Sequence, residues 1–293
     1  MRISFLSFYS GVVNRGVETY IHELANRLSN RHEVSVYQNG RKLAEAKYRT
    51  VTVDLSWNQS HLGTYIPFLN YHALIIKQFT QKVLKTLDPK VDILVPANGQ
   101  WQGLLCKIWA KKNGVKLVIS GQSGPGMDDR INLWTFPHVF ISLTEFQKRW
   151  AAGANPFVRV ETIPNGVDLA QFRPEIKPFD IKLPRPIILF VAALTSWKRV
   201  NLVIKAVARL TKGSLLIVGR GEMQPELEMM ANQLLPGRFK ILSFAHKEMP
   251  SVYRSADMFT YATVPWESFG IVMVEAMASG LPVVATNDPI RRE

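Results

Sequence analysis

The feature that most constrains this chain is a rhythm. Short apolar runs alternate with longer amphipathic segments from the first residues onward. In the N-terminal part the runs predict strands at 2–8, 33–37, 92–95, 116–120, 139–142 and 159–163, with helices at 16–29, 65–87, 100–113 and 145–152 between them. Gly114 follows the third helix, where a residue tolerating the left-handed conformation ends a helix well. Strands that alternate with helices in this way form a mostly parallel sheet covered by helices on both faces.

The rhythm breaks once. Between 173 and 186 lie Pro174, Pro178, Pro184 and Pro186, and proline denies a regular element its backbone donors and its helical φ/ψ. The pattern then restarts, with strands at 187–191, 214–218, 239–242, 258–261 and 282–285 and helices at 200–210, 225–235, 248–255 and 269–279. The expected architecture is α/β: two Rossmann-like domains facing across a cleft, at 1–172 and 187–293, joined by a proline-rich linker at 173–186. A length of 293 residues fits two such domains.

Charge narrows the partners. Lys and Arg number 36 against 23 Asp and Glu, a net charge of +13 spread over both halves. That excess suits nucleic acid, an acidic membrane surface or phosphorylated small molecules. The longest uncharged stretch, 55–76, is interrupted by Asn58, Gln59, His61, Asn70 and His72 and is not the run of about 20 apolar residues that a bilayer span needs. The N-terminus reads as a buried strand rather than a signal peptide. Cys106 stands alone, so no internal disulfide is expected and a reducing cytoplasm is the expected compartment. The helices at 65–87 and 100–113 carry Trp101, Trp109, Lys77, Lys82, Lys85, Lys107, Lys111 and Lys112. They suit either a solvated face or peripheral binding to anionic lipid. Scattered histidines and the lack of an Asp-x-Asp pair argue against a protein-held metal.

The stretch from Glu267 to Pro282 carries the most chemistry. Between Gly270 and Ser279 only Glu275 is not apolar. The expected helix is therefore buried all round, with a carboxylate that something must hydrogen-bond. A ligand rich in hydroxyls would serve, and so would a lysine or a backbone amide from a neighbouring loop. The spacing from Glu267 to Glu275 corresponds to about 12 Å along a helix, roughly the reach from one end of a nucleotide-sugar to its ribose. Backbone N–H groups at Phe269, Gly270 and Ile271, where the helix starts, suit a phosphate. Lys198 and Arg199 follow the strand at 187–191. With Ser196 as N-cap they fall in a first helical turn, where the dipole disfavours cations unless a diphosphate reverses the sign. Gly16, Gly219 and Gly221 stand at strand exits and can admit a phosphate, although such turns also need glycine for their own geometry. Asn165-Gly166 reads as a turn. Neither a full G-x-G-x-x-G fingerprint nor a P-loop is present.

Taken together these residues resemble the retaining glycosyltransferases of family 4, which have the GT-B fold. The resemblance rests on Glu267-x7-Glu275 with Phe269-Gly270 inside it, on Ala276-Met277-Ala278-Ser279-Gly280-Leu281-Pro282, on Lys198-Arg199, on Val218-Gly219-x-Gly221, on 163–168 and on Gly16-Val17-Glu18. It implies transfer of a sugar from a nucleotide-diphosphate donor with retention at the anomeric carbon and no required metal or other cofactor, the nucleotide-sugar being a substrate. It implies that Glu267 holds hydroxyls of the donor sugar, Glu275 the ribose, and Lys198 the leaving diphosphate. It further places Gly16, Arg199, Gly219, Phe269, Gly270 and Ile271 on the donor, and Gln122 and Asn165 on the sugar or acceptor side. Closure of the domains would exclude water.

Three departures bear on that reading. Ala193 stands where many members have an arginine, and Arg199 is the expected substitute. Gln122 stands where many have a histidine. The second domain is expected to be incomplete after Ala285. The alternative is a non-catalytic relative that binds a nucleotide or a membrane surface. No basic-aromatic motif supports nucleic acid as a partner.

Overall fold

Strand β1 (Arg2–Ser7) is buried at every residue after its first. A strand covered on both faces belongs inside a parallel sheet whose crossovers lay helices over each side. The computed structural model describes residues 1–13, 16–58, 66–264 and 267–293, and the chain divides into two units, Met1–Pro164 and Asn165–Glu293.

In the first unit, β1 is joined by β2 (Glu33–Gln38), β3 (Arg49–Thr52), β4 (Ile93–Pro96), β5 (Lys116–Ser120), β6 (Val139–Ser142) and β7 (Val160–Thr162), all parallel, in the order β3-β2-β1-β4-β5-β6-β7. Its helices are α1 (Gly16–Leu28), α2 (Tyr71–Thr86), α3 (Gln100–Asn113), α4 (Met127–Trp134) and α5 (Glu145–Ala154). The predicted start of α2 at Tyr65 lies outside the described residues. The helix itself begins after Asn70, whose side chain accepts the Ala73 N–H at 2.9 Å. Gly114 ends α3 at φ 71°, as its sequence position suggested.

Two elements had no clear sequence signal. Strand β3 is an edge strand with the sequence Arg-Thr-Val-Thr, so it needs no apolar run. Helix α4 opens on Met127, Asp128 and Asp129 and buries Asp129, Asn132 and Leu133, a largely polar set that hides its inner face.

The second unit holds β8 (Ile187–Val191), β9 (Ser214–Val218), β10 (Phe239–Leu242), β11 (Met258–Tyr261) and β12 (Val283–Ala285) in the parallel order β10-β9-β8-β11-β12. Its helices are α6 (Val200–Ala208), α7 (Gln224–Leu234), α8 (Met249–Arg254) and α9 (Ile271–Ala278). The core is built on β8 and β9, where Leu189, Phe190, Leu215, Leu216 and Ile217 are completely buried. Each such side chain contributes about 1.5–3 kcal/mol of burial. The proline-rich segment 173–186 contains no helix or strand, but it rests on this unit. Phe179 donates its N–H to the Ser251 carbonyl, and Ile181 and Leu183 pack on the core beside buried Phe172.

Strand order reverses direction in each sheet, between β1 and β4 in the first unit and between β8 and β11 in the second. Outside the C-terminal ends of such a pair, the connecting loops diverge to opposite faces and leave a crevice.

Candidate functional site

The second unit's crevice collects charge. Lys198 lies in a short 3-10 turn, Ser196–Lys198, after β8; Glu267 lies in the loop between β11 and α9. Their side chains form an ion pair, Lys198 Nζ to Glu267 Oε2, and each is only about one-fifth exposed (21% and 20%). Tyr261, the last residue of β11, stands beside both. Its hydroxyl donates to Glu267 and lies 3.5 Å from Lys198 Nζ, while the ammonium is 5.8 Å from the ring centre. Burial, reinforced by the Glu267 charge, pushes the Tyr261 hydroxyl far above its ordinary pKa, so it remains a neutral donor.

Ser196 does not cap α6, and this corrects the sequence expectation. Arg199 occupies the N-cap position in the left-handed region at φ 49°, and α6 begins only at Val200. Lys198 is thereby held outside the helix, where the extra turn swings its side chain toward Glu267. Arg199 makes no side-chain hydrogen bond or ion pair to that cluster among the described residues.

Glu275 lies one helical segment further on, in a different environment. It is 6% exposed, and Tyr253 of α8, completely buried, donates its hydroxyl to Glu275 Oε2 at 2.7 Å. Burial raises its pKa to about 7, against a smaller lowering by the Tyr253 hydrogen bond. Near neutral pH this carboxyl is both donor and acceptor. Among the described residues its partner is neither a lysine nor a backbone amide but a tyrosine hydroxyl.

The expectation that its helix is buried on all sides is corrected. In α9 only Glu275 and Ala276 are buried, and Met277 is 63% exposed. A helix of two turns at the margin of a five-stranded sheet is covered on one side, so apolar composition all round did not translate into burial all round.

Glycines shape the rim. Gly270 precedes α9 at φ 82°, and a Cβ there would come within 3.0 Å of the Tyr261 ring. Glycine therefore lets the start of α9 approach the Lys198–Glu267 cluster. The helix opens at Ile271 rather than at Phe269 as the sequence suggests, so Gly270 is its N-cap, Phe269 precedes it, and of the three expected N–H groups only that of Ile271 lies in the first turn. Gly219 and Gly221 answer to the protein's own backbone. Cβ atoms there would lie 1.8 Å from the Ala192 carbonyl oxygen and 2.3 Å from that of Leu194. The loop leaving β9 crosses the loop leaving β8, fixed by Leu194 N–H to the Arg220 carbonyl at 2.9 Å and Met223 N–H to the Leu194 carbonyl at 3.0 Å.

The remaining candidates lie elsewhere. Asn165 opens the second unit in the turn after β7. Gly16 and Gln122 belong to the first unit. Gly16 is the first residue of α1, and among the described residues an added Cβ would meet nothing within 4 Å. Gln122 follows β5 and donates its side-chain N–H to Ser120 Oγ at 3.0 Å; the same Ser120 donates its hydroxyl to that of Tyr20 from α1. The loop carrying Gln122 is anchored by Gln147, which donates to the Gly121 carbonyl at 2.7 Å and to Asp129 Oδ2 at 3.1 Å. Asp129 is 1% exposed, and burial raises its pKa to about 7.

Sequence reasoning missed Tyr261, Tyr253, Arg291 and Asp129. Tyr261 had a usable signal, a tyrosine closing a predicted strand at the end where ligands bind in such sheets. Tyr253 and Arg291 had none, because their partners come from other elements. Among the described residues no group of three or more His, Cys, Asp and Glu side chains is placed to hold a metal ion, and no helix is long and apolar enough to cross a membrane.

Comparison with known proteins gives these positions a context. Residues 14–171, more than half of the chain, match Glycosyltransferase Family 4, and residues 171–293 match Glycosyl transferases group 1. The phosphatidyl-myo-inositol mannosyltransferase of Mycolicibacterium smegmatis is 37% identical over 161 residues, which are 52% of this chain and 40% of that protein. Its counterpart from Mycobacterium tuberculosis H37Rv is 32% identical over 158 residues, 52% of this chain and 41% of that one. These alignments therefore span about two fifths of the relatives' length. Among solved structures, Anabaena HepE in complex with UDP and glucose superposes with a TM-score of 0.78 at 22% identity, covering 100% of this chain and 82% of that one. Sucrose-phosphate synthase from Thermosynechococcus elongatus gives 0.76 at 19% identity, covering 98% and 81%. The last two establish the fold: two parallel-sheet α/β domains of the GT-B glycosyltransferase type.

Proposed function

The chain belongs to glycosyltransferase family 4, and from that premise we propose that it transfers a sugar from a nucleotide-diphosphate donor to an acceptor hydroxyl with retention at the anomeric carbon. The observation that carries the reading is the Lys198–Glu267–Tyr261 cluster at the C-terminal ends of β8 and β11, with the start of α9 packed against it. In this reading Lys198 and the first-turn N–H groups of α9 receive the diphosphate. Negative charge collects on that group as the bond to the anomeric carbon breaks, and donors already in place lower the barrier. Glu267, released from Lys198, accepts hydroxyls of the donor sugar. Glu275 takes the ribose, which its donor-and-acceptor carboxyl suits. Gly16, Arg199 and Gly219 remain assigned to the donor, and Gln122 and Asn165 to the sugar or acceptor. No metal or organic cofactor takes part.

The names of the relatives support a nucleotide-sugar as donor class: HepE is described with UDP and glucose, and the mycobacterial relatives as mannosyltransferases. A lipid-borne acceptor suits the phosphatidyl-myo-inositol of those relatives. It also suits the first unit's α2 and α3, which expose Leu74 (41%) and Ile108 (60%) near Lys77, Lys107, Lys111 and Lys112. Peripheral attachment to the cytoplasmic face of a membrane is part of this proposal.

Calorimetry with UDP, GDP and ADP tests the donor site. One of them should bind, and Lys198→Ala should weaken it. Binding of none would overturn the reading. The second reading, a non-catalytic binder, is favoured by Ala193 and Gln122 standing where a cation and an imidazole are common in the family. Release of nucleoside diphosphate from a nucleotide-sugar, abolished by Glu267→Gln, would exclude it.

A further inference from the structure

The sequence left open which residue supplies the cation absent at Ala193, and it pointed to Arg199. The geometry favours Arg291. Its side chain is 2% exposed and lies in the loop after β12. One guanidinium nitrogen donates to Thr263 Oγ1 and lies 3.4 Å from the Val264 carbonyl; the other pairs with Asp288, itself 5% exposed. The guanidinium carbon sits 5.4 Å from the centre of the Tyr261 ring, the same ring that Lys198 approaches to 5.8 Å. It is also within electrostatic reach of Glu267. Arg291 thus grips Thr263 and Val264, two and three residues past the end of β11 on the way to Glu267, and it flanks the tyrosine whose hydroxyl donates to Glu267.

A conflict within the site explains why such a residue is needed. Lys198 and Glu267 satisfy one another, so neither is available to a donor until the pair opens. A diphosphate that draws Lys198 away leaves Glu267 without its ion-pair partner. What then holds Glu267 is Tyr261 and whatever fixes the Tyr261–Val264 segment. We propose that Arg291 is a positioning residue for Glu267: it fixes that segment and supplies the second positive charge, so that Glu267 stays aimed at the donor's sugar when Lys198 turns to the diphosphate. The proposal rests on the donor-site reading above. It differs from the family's usual arrangement by drawing the second cation from the far side of β12 instead of from the β8 loop.

The test separates sugar from diphosphate. Arg291→Ala alone would strand the buried Asp288 carboxylate, so it is paired with Asp288→Asn, and Arg291→Lys is made beside it. The probes are whichever of UDP, GDP and ADP binds the wild-type protein and the glucose or mannose ester of that same diphosphate. The expected result is a loss of at least about tenfold in affinity for the ester in Arg291→Ala/Asp288→Asn, the size of one hydrogen bond to a charged group. Affinity for the bare diphosphate should stay within about threefold. Arg291→Lys keeps the charge but not the fork, and should show the same selectivity at a smaller size. Lys198→Ala should instead lose both ligands together. An ester affinity that is unchanged, or that falls no more than the diphosphate affinity, in both Arg291 variants overturns the proposal while leaving the donor site standing. Binding of none of the three diphosphates to the wild-type protein overturns the donor site, and this inference with it.

Discussion

Glu267 and Glu275 lie on one short stretch of chain, yet their surroundings make them different groups. Glu267 is about one-fifth exposed and paired with the Lys198 ammonium. Glu275 is 6% exposed and paired with a neutral hydroxyl, and burial takes its pKa to about 7. The contrast separates two kinds of hydrogen-bond acceptor: a charged one that a diphosphate can free by competing for its lysine, and a near-neutral one whose proton is shared with its environment. Loop and helix account for it. The loop position lets solvent and a cation reach Glu267, whereas Glu275 faces inward from α9 onto α8.

The contrast can be broken in order of size. For Glu275 the folded pKa of about 7 lies above the ordinary 4.5. The native protein therefore holds this proton over a range where the unfolded chain has released it. Wild-type stability should fall as pH rises through that window, by on the order of 3 kcal/mol from this group. Glu275→Gln removes the dependence, so its stability relative to wild type should climb between pH 5 and pH 8 in urea titrations. Asp129, which titrates in the same direction, is common to both proteins and cancels. A flat difference would show that Glu275 is not buried as an acid. The same variant should bind a nucleoside diphosphate more weakly at pH 7 if Glu275 holds the ribose.

Next, Lys198→Ala should weaken nucleoside diphosphate binding tenfold or more, about 2 kcal/mol. The folded protein should lose little, because an ion pair that solvent still reaches contributes about 0–1 kcal/mol. A variant that melts far below wild type would recast the Lys198–Glu267 pair as structural. Tyr253→Phe leaves the Glu275 carboxyl without its donor. About 1–3 kcal/mol of stability should go, and the Glu275 pKa should rise further, moving the pH window upward. The smallest effect belongs to Tyr261→Phe, about 0.5–1.5 kcal/mol, measured as a modest fall in nucleotide-sugar affinity as Glu267 loses one donor.

Much of the fold was legible. Strands 116–120, 139–142, 187–191, 214–218, 239–242 and 258–261 lie where their apolar runs predict, because buried parallel strands are written locally as such runs. Strand β3 and helix α4 were not legible, since an edge strand and a polar-cored helix owe their form to neighbours. The candidate site was legible as residue types: Lys198, Glu267, Glu275 and Gly270 all lie in the unit that holds the cluster. Their relations were not. Ser196 looked like a cap, but the chain inserts a 3-10 turn and a left-handed Arg199 instead. The sequence offered Glu275 a hydroxyl-rich ligand or, from the protein itself, a lysine or an amide; the protein partner is Tyr253, 22 residues away in sequence. Gly16 and Gly219 looked alike. One has open space where a side chain would go, and the other is pressed against a carbonyl oxygen at 1.8 Å.

By itself the sequence determined the alternation of strand and helix, the proline-rich break, and the family motif with its two glutamates. Each of these is a local pattern, readable from neighbouring residues. Only the tertiary structure decided that Lys198 meets Glu267, 69 residues later, and that Arg291 and Tyr261 join them. The reason lies in strand order. β8 and β11 are neighbours although β9 and β10 separate them in sequence, and it is their side-by-side C-terminal ends that turn scattered charges into one site.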